Sequence, residues 1–235
     1  LHENGIPTTV PIMLTDGSLM AIKDGVAWTL LPFVEGGILG LDEDSVRSLG
    51  ETQARMHLIP VADCFPKSYR MGFELFEEVI SLSSKMGVSN PFVEMLSSRI
   101  AETKLDFPSD LPMGVLHGDL FPDNVIGGGG GVSAILDLEE AWIGPMAFDI
   151  AMSCVGFGWG GTVPVWSRWK ALFDGYQSVR KLSQKEVDCL PFLHQFATLC
   201  IASWRFWKHN LREPDELLSN RYVEMVHRLS VEIDL

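Results

Sequence analysis

The stretch His117-Gly118-Asp119-Leu120-Phe121-Pro122-Asp123-Asn124-Val125, with Ile135-Leu136-Asp137 after it, decides how this chain is read. Val115-Leu116 makes an apolar approach, the loop follows, and a glycine-rich turn leads to a second apolar strand within 132–138 that carries Asp137 at its end. A lone His-x-Asp is common and usually marks a turn or a capped helix, so the ordered context is what gives the string meaning. Gly127 to Gly131 are five consecutive glycines. They do not read as a phosphate cradle, which must open a helix whose N-terminal amides face the anion. A strand follows instead, and the run is a flexible hairpin turn between the two strands that carry the polar side chains.

Asp119 and Asn124 stand five positions apart behind a histidine, the spacing of a kinase catalytic loop, H-R-D-x-x-x-x-N. In such a loop the aspartate reaches the acceptor hydroxyl, and the asparagine reaches back to magnesium on the ATP phosphates. Magnesium keeps several waters and takes one or two carboxylates plus phosphate oxygens, so Asn124 with Asp137 suffices on the protein side. Glycine in place of the arginine points away from protein kinases. The His-Gly-Asp-Leu-Phe-Pro-Asp-Asn run resembles the aminoglycoside phosphotransferase and choline kinase-like superfamily of small-molecule kinases. That resemblance implies an α+β, protein kinase-like fold. Residues 1–36 would be a remnant of the small antiparallel-sheet N-lobe with its hinge, and 37–235 a large helical C-lobe carrying the catalytic loop and metal site. Asp119 is then the catalytic base or acceptor-orienting carboxylate, and Asn124 and Asp137 hold Mg2+. His117 and Asp149 organise the loop, and Leu31, Pro32 and Phe33 form the hinge whose backbone meets the adenine of ATP.

Two further stretches, Gly175 to Ser183 and Ser203-Trp204-Arg205-Phe206-Trp207, resemble the bacterial type of homoserine kinase within that superfamily. The resemblance implies phosphoryl transfer from ATP to the hydroxyl of L-homoserine, in threonine biosynthesis and in the cytoplasm. Arg205 is a candidate for the acceptor's carboxylate, since a guanidinium can hold one bidentately, and a surface ion pair is the equal alternative. Asp123, Glu139 and Glu140 are further substrate candidates, the two glutamates as receivers of an ammonium. Leu138-Glu139-Glu140-Ala141-Trp142 departs from homoserine kinases of this type, which more often carry aromatic residues there. Choline, ethanolamine or an aminoglycoside therefore stand as alternative acceptors. A quaternary ammonium calls for an aromatic cage, which Trp142, Trp204 and Trp207 are available to form. As a stripe at helical spacing, at least two of Trp204, Phe206 and Trp207 read as core.

The bulk numbers narrow the classes. A formal charge of −13 over 235 residues argues against nucleic-acid binding, which needs a basic face. It does not argue against ATP, because magnesium brings positive charge into the site. No apolar run is long enough to span a bilayer, and no signal-peptide pattern opens the chain. The partner implied is a small molecule, an amino acid or amino alcohol; no feature sets an oligomeric state. Cys64, Cys154, Cys189 and Cys200 form no C-x-x-C pair, and three of them sit in apolar surroundings as reduced core residues.

In chain order, Leu1 to Asn4 reads as a helix end stopped by Gly5, and the turns Asp16-Gly17 and Asp24-Gly25 join short strands that run on to Phe33. Helices are expected over Asp42–Ile59, 71–86 and 91–104, from Gly144-Pro145, and over 164–179, 183–208 and 214–231. Ser183-Gln184-Lys185-Glu186 is a capping box, Pro191 predicts a kink, and Pro214 sits in the first turn of the last helix.

A kinase of this kind also needs a glycine-rich loop over the phosphates, a strand lysine and a helix glutamate that holds it. None can be placed before residue 12. Met20-Ala21-Ile22-Lys23 imitates the lysine motif, but an Asp24-Gly25 turn follows at once and no glycine loop precedes it, so Lys23 reads as a hairpin lysine. The expectation is a chain that begins inside the first lobe, with an open sheet edge and little turnover alone. The rival from another class is a non-catalytic, truncated pseudokinase.

Overall fold

The computed structural model describes residues 1–233. A short 3-10 turn, His2–Asn4, ends at Gly5, whose φ of 76° is the left-handed stop the sequence predicts. Ile6 is buried in the core, and the next residues lie along a strand 127 positions on. The Ile135 N–H donates to the Pro7 carbonyl at 2.8 Å, and the Thr8 hydroxyl donates to the Ile135 carbonyl at 2.8 Å.

Strands β1 (Ala21–Lys23) and β2 (Val26–Trp28) form an antiparallel hairpin across the Asp24-Gly25 turn. The short strand expected before the Asp16-Gly17 turn is only a partial one. Leu14 N–H bonds to the Ser18 carbonyl and Ile12 N–H to the Leu30 carbonyl, both at 2.8 Å, without a continuous ladder. β3 (Gly37–Ile38) then pairs with a distant strand rather than with this hairpin.

From Asp42 the chain turns helical, for local reasons. The Asp42 carboxylate accepts the Ser45 N–H at 3.0 Å, so α1 (Glu43–His57) starts with a satisfied cap and two acids in its first turn. α2 (Phe73–Met86) stops at Gly87 in the left-handed conformation, and α3 (Pro91–Asp106) begins with a proline behind an Asn90 cap. β4 (Met113–Leu116) delivers the chain to the loop. β5 (Val125–Gly128) and β6 (Gly131–Ile135) flank the glycine turn and pair antiparallel, and β3 adds itself to the other edge of β5. β6 stops at Ile135, short of the expected 132–138.

β7 (Trp142–Pro145) was not expected. It pairs with β4, with Gly114 opposite Gly144, and Gly144-Pro145 end this strand rather than open a helix. α4 (Met146–Phe157) starts one residue later and is buried along almost its whole length. A second unforeseen pair, β8 (Trp159–Gly160) and β9 (Val163–Pro164), leads into α5 (Trp166–Val179). α6 (Gln184–Phe206) opens on the expected capping box, with Ser183 and Glu186 bonding reciprocally, and runs on through Pro191. It does not end at 208 but winds into a π-helical turn, Trp207–Arg212.

The expected last helix over 214–231 is shorter. Asp215 caps a turn with bonds to the Leu217 and Leu218 N–H groups, and α7 (Arg221–Leu229) begins only after it. A side chain that bonds its own local backbone competes with the helix.

One core cluster gathers residues of α2, α3, α4, α6 and α7; the other gathers α1, α5 and the strands β4 to β6. α1 and α5 cross closely because each presents a glycine: a Cβ on Gly50 would strike the Leu172 carbonyl, and one on Gly175 the Arg47 carbonyl. All four cysteines are free; Cys154 and Cys200 are buried, Cys189 half-buried and Cys64 exposed. Among the described residues no helix is long and apolar enough to cross a membrane.

Candidate active site

The loop after β4 is held from below by one carboxylate. Asp149, fully buried on α4, accepts the Gly118 N–H at 2.8 Å through Oδ1 and the His117 N–H at 3.1 Å through Oδ2. Oδ2 also takes the Gln53 amide at 3.1 Å and lies 3.0 Å from Nε2 of His57, both on α1. Burial alone would raise the Asp149 pKa. The His57 hydrogen bond and charge, together with the Gly118 amide, outweigh it and hold the group at about 2. The chain of contacts continues outward: His57 Nδ1 to the Tyr176 hydroxyl at 2.8 Å, then Arg180 to that hydroxyl at 3.3 Å and to Glu186 at 2.8 Å.

His117 is also fully buried and joins the loop to the segment that follows β6. Its Nε2 lies 2.8 Å from the Leu136 carbonyl, while Nδ1 accepts the Asp119 N–H at 3.2 Å. That pattern assigns the neutral tautomer with its proton on Nε2. Gly118 has φ 82°, and a Cβ there would lie 2.6 Å from the Glu140 carbonyl, so no arginine fits where the loop has its glycine. The Tyr69 hydroxyl donates to the Gly118 carbonyl at 2.6 Å and fixes the other side of the same residue.

Asn124 and Asp137 meet at the mouth of the β5–β6 hairpin. The Leu136 N–H donates to the Asn124 carbonyl at 2.9 Å, extending the ladder one step beyond the strands. Asp137 itself leaves the strand with φ 54°, in the left-handed region. Its carboxylate is exposed and has no hydrogen-bond partner among the described residues. Asn124 Nδ2 donates to the Asp119 carbonyl at 2.7 Å, and Oδ1 accepts no hydrogen bond among the described residues.

Asp119 is pushed up to about 7, by burial first and then by the carboxylates of Asp123, Glu140 and Asp137, against a lowering bond from Asn124. Glu140 apart, which pairs with Arg70, these hard oxygen donors carry like charge, which fits a divalent cation such as Mg2+ with phosphate oxygens completing its shell. Among the described residues, no group of three or more His, Cys, Asp or Glu is arranged to enclose a metal ion without such help.

Beside the loop opens a cavity of about 400 Å3 lined by Asp119, Asp123, Ile201, Trp204, Arg205 and Arg221 among others. The structure thus brings Asp119, Asp123 and Arg205 together. Arg205 lines the cavity and also pairs with Glu224 at 3.0 Å. Glu140 is held by Arg70, and Glu139 is exposed. Phe206 is buried, whereas Trp204 and Trp207 are half-buried against the core. Leu31, Pro32 and Phe33 lie in an exposed extended segment between β2 and β3, Phe33 at 89% exposure, and make no backbone–backbone hydrogen bond among the described residues.

Five residues of this site escaped the sequence reading: Gln53, His57, Tyr69, Arg70 and Arg221. Gln53 and His57 stand four apart on α1, so the signal was two polar residues on one helical face in line with the apolar ones. The others come from segments far from the loop in sequence.

Residues 1–182 match the family described as "Phosphotransferase enzyme family". The chain belongs to that family. It is similar to the homoserine kinase of Rhizobium meliloti, 28% identical over 93% of this chain and 68% of the relative. With the homoserine kinase of Brucella ovis the identity is 33%, over 85% of this chain and 62% of that protein. The chain therefore spans about two thirds of the length of these curated relatives, 62% and 68%. Among solved structures, an amicoumacin kinase in complex with AMP-PNP, Ca2+ and Ami superposes with a TM-score of 0.73 at 15% identity, over 97% of this chain and 73% of that one. A choline/ethanolamine kinase family protein from Mesorhizobium loti gives 0.69 at 13% identity, over 98% and 75%. The fold of this chain is accordingly the α+β, protein kinase-like one.

Proposed function

We propose that the protein containing this chain is a small-molecule kinase of the cytoplasm that moves the γ-phosphate of ATP to a hydroxyl, that of L-homoserine in threonine biosynthesis. The observation that carries this reading is the shared cavity: a carboxylate, Asp119, raised to about 7, lines the same space as the guanidinium of Arg205. A group titrating near neutrality suits an oxygen that must orient an alcohol and take its proton as the phosphoryl group arrives. Asp123 is the carboxylate placed for the acceptor's ammonium, since Glu140 is engaged by Arg70. Asn124 Oδ1 and the Asp137 carboxylate would hold Mg2+, which supplies charge neutralisation to the phosphates. Asp149 and His117 keep the loop in shape through its amides. The unpaired backbone of Leu31 to Phe33 is left for the adenine, and 1–36 and 37–235 are the two lobes that this hinge divides.

A quaternary ammonium acceptor is less well served. Trp204 lines the cavity, but Trp142 stacks on Tyr69 and Trp207 donates to Glu78, so no three-tryptophan cage forms there.

The test is Mg2+-dependent ATP turnover by the full-length protein with L-homoserine, choline, ethanolamine and an aminoglycoside, and with Asp119→Asn as control. Homoserine-dependent turnover abolished by the substitution is the expected result. Turnover with another acceptor alone would overturn the substrate, and no turnover with any would make this a binding protein with a kinase fold.

A further inference from the structure

Of the two arginines that line the cavity beside Asp119, one enters no ion pair among the described residues, and its place extends the reading just given, on which the inference rests. Arg205 and Arg221 both line the cavity. Arg205 is already committed: its Nη1 donates to Glu224 at 3.0 Å and to the Arg221 carbonyl at 3.1 Å, and its side chain is only 12% exposed. Glu224 is shared with Arg228 at 2.5 Å, and Arg228 in turn is anchored on the Val155 and Gly161 carbonyls. Burial would raise the Glu224 pKa, but the two guanidinium groups keep it low, so the group stays ionised between them.

Arg221 differs. Its guanidinium makes no hydrogen bond and no ion pair among the described residues, while its backbone is fixed at the first residue of α7 by the bond from Arg205. The geometry points to Arg221 as the residue that takes the carboxylate of an amino-acid acceptor, with Arg205 as the positioning residue that holds it at the cavity. A planar guanidinium matches a carboxylate bidentately. The catalytic loop contributes Asp119 and Asp123 to the same cavity, and Ile201 and Trp204 give it apolar wall. A short acceptor with a carboxylate at one end and a hydroxyl at the other is thereby held with the hydroxyl at Asp119. An amino alcohol without the carboxylate leaves Arg221 unmatched.

The experiment compares L-homoserine with 3-aminopropan-1-ol, which keeps the hydroxyl and amine but lacks the carboxylate, in the full-length protein and its Arg221→Ala and Arg221→Lys variants. Because the Arg221 side chain is exposed and its carbonyl survives substitution, the variants should melt with the wild type. In Arg221→Ala the KM for L-homoserine should rise about 10- to 100-fold, the scale of a charged hydrogen bond, with kcat changed much less. The preference for homoserine over 3-aminopropan-1-ol should fall by the same factor, and lysine should restore part of it. An unchanged homoserine KM, or an equal loss with both acceptors, overturns the assignment. A wild-type protein that uses both acceptors equally also overturns it, yet leaves phosphoryl transfer to an amino alcohol standing. Activity with neither acceptor removes the reading of the site itself.

Discussion

Asp149 and His57 form a fully buried pair, with Oδ2 of the carboxylate 3.0 Å from Nε2 of the imidazole. One carboxylate thus connects the amides of His117 and Gly118 to a helix more than fifty residues earlier in the sequence, and Tyr176 extends the connection to α5.

His57→Ala would leave the Asp149 carboxylate buried without its main partner. Removing one member of a buried pair costs about 3 to 5 kcal/mol, so urea unfolding should show a loss of that order. In the full-length protein, kcat should fall as well, because the loop loses the support of its anchor while Asp119 remains in place.

Acid sensitivity should begin at His194. Burial, aided by the Arg228 charge, lowers its pKa to about 3, and the Trp159 indole N–H donates to its Nε2 at 3.3 Å. The unfolded chain takes up the proton below about 6.5, the native state only near 3. Stability therefore falls as the pH drops through that window, by about 1.4 kcal/mol per pH unit. Asp149, held at about 2, acts lower down: its contribution is intact above about 4 and is lost as the pH falls towards 2. Melting temperatures from pH 7 to 4 should decline in the wild type. They should decline less in His194→Gln, whose amide oxygen still accepts from Trp159 but does not titrate.

The α1–α5 crossing gives a steric test. Gly175→Ala places a methyl group against the Arg47 carbonyl, and overpacking of this kind costs about 1 to 3 kcal/mol. Thermal unfolding should register it. A substitution at Gly37, where a Cβ meets nothing within 4 Å and no positive φ is required, should cost much less.

Asp137 separates ligand chemistry from backbone demand. Its φ of 54° is one that asparagine tolerates and a β-branched residue resists. Asp137→Asn should melt as the wild type does yet need more Mg2+, with activity down about 10²- to 10³-fold at fixed metal. Asp137→Val should lose the same activity and also some stability. Turnover measured across a Mg2+ titration, beside melting curves, distinguishes the two.

The stretch around Asp119 was legible because local chemistry wrote it. The order of strand, loop, glycine turn and strand is recoverable from Val115 through Asp137, and the helices that start at Asp42, Asn90 and Ser183 carry their own caps. What stayed hidden depends on distant partners. β7 is recognisable only by its pairing with β4, and its Gly144-Pro145 end looks like a helix start in isolation. The last helix was drawn too long because Pro214 fits a first turn, whereas the Asp215 side chain closes a local turn there instead. Arg70 and Arg221 carry no motif; only folding brings one to Glu140 and the other to the cavity.

The glycine turn between β5 and β6 has a use that its neighbours do not. Gly128 and Gly131 stand close to the Ser133 and Ser48 side chains, but around Gly129 and Gly130 a Cβ would meet nothing within 4 Å. The tip is also the far end of the hairpin from Asn124 and Asp137, which sit beyond the Val125–Ile135 pair. Gly129 and Gly130 themselves hold φ of 58° and 93° and are kept; a short peptide tag inserted between them would then report on the hairpin without entering the site, a built-in place to attach an optical probe.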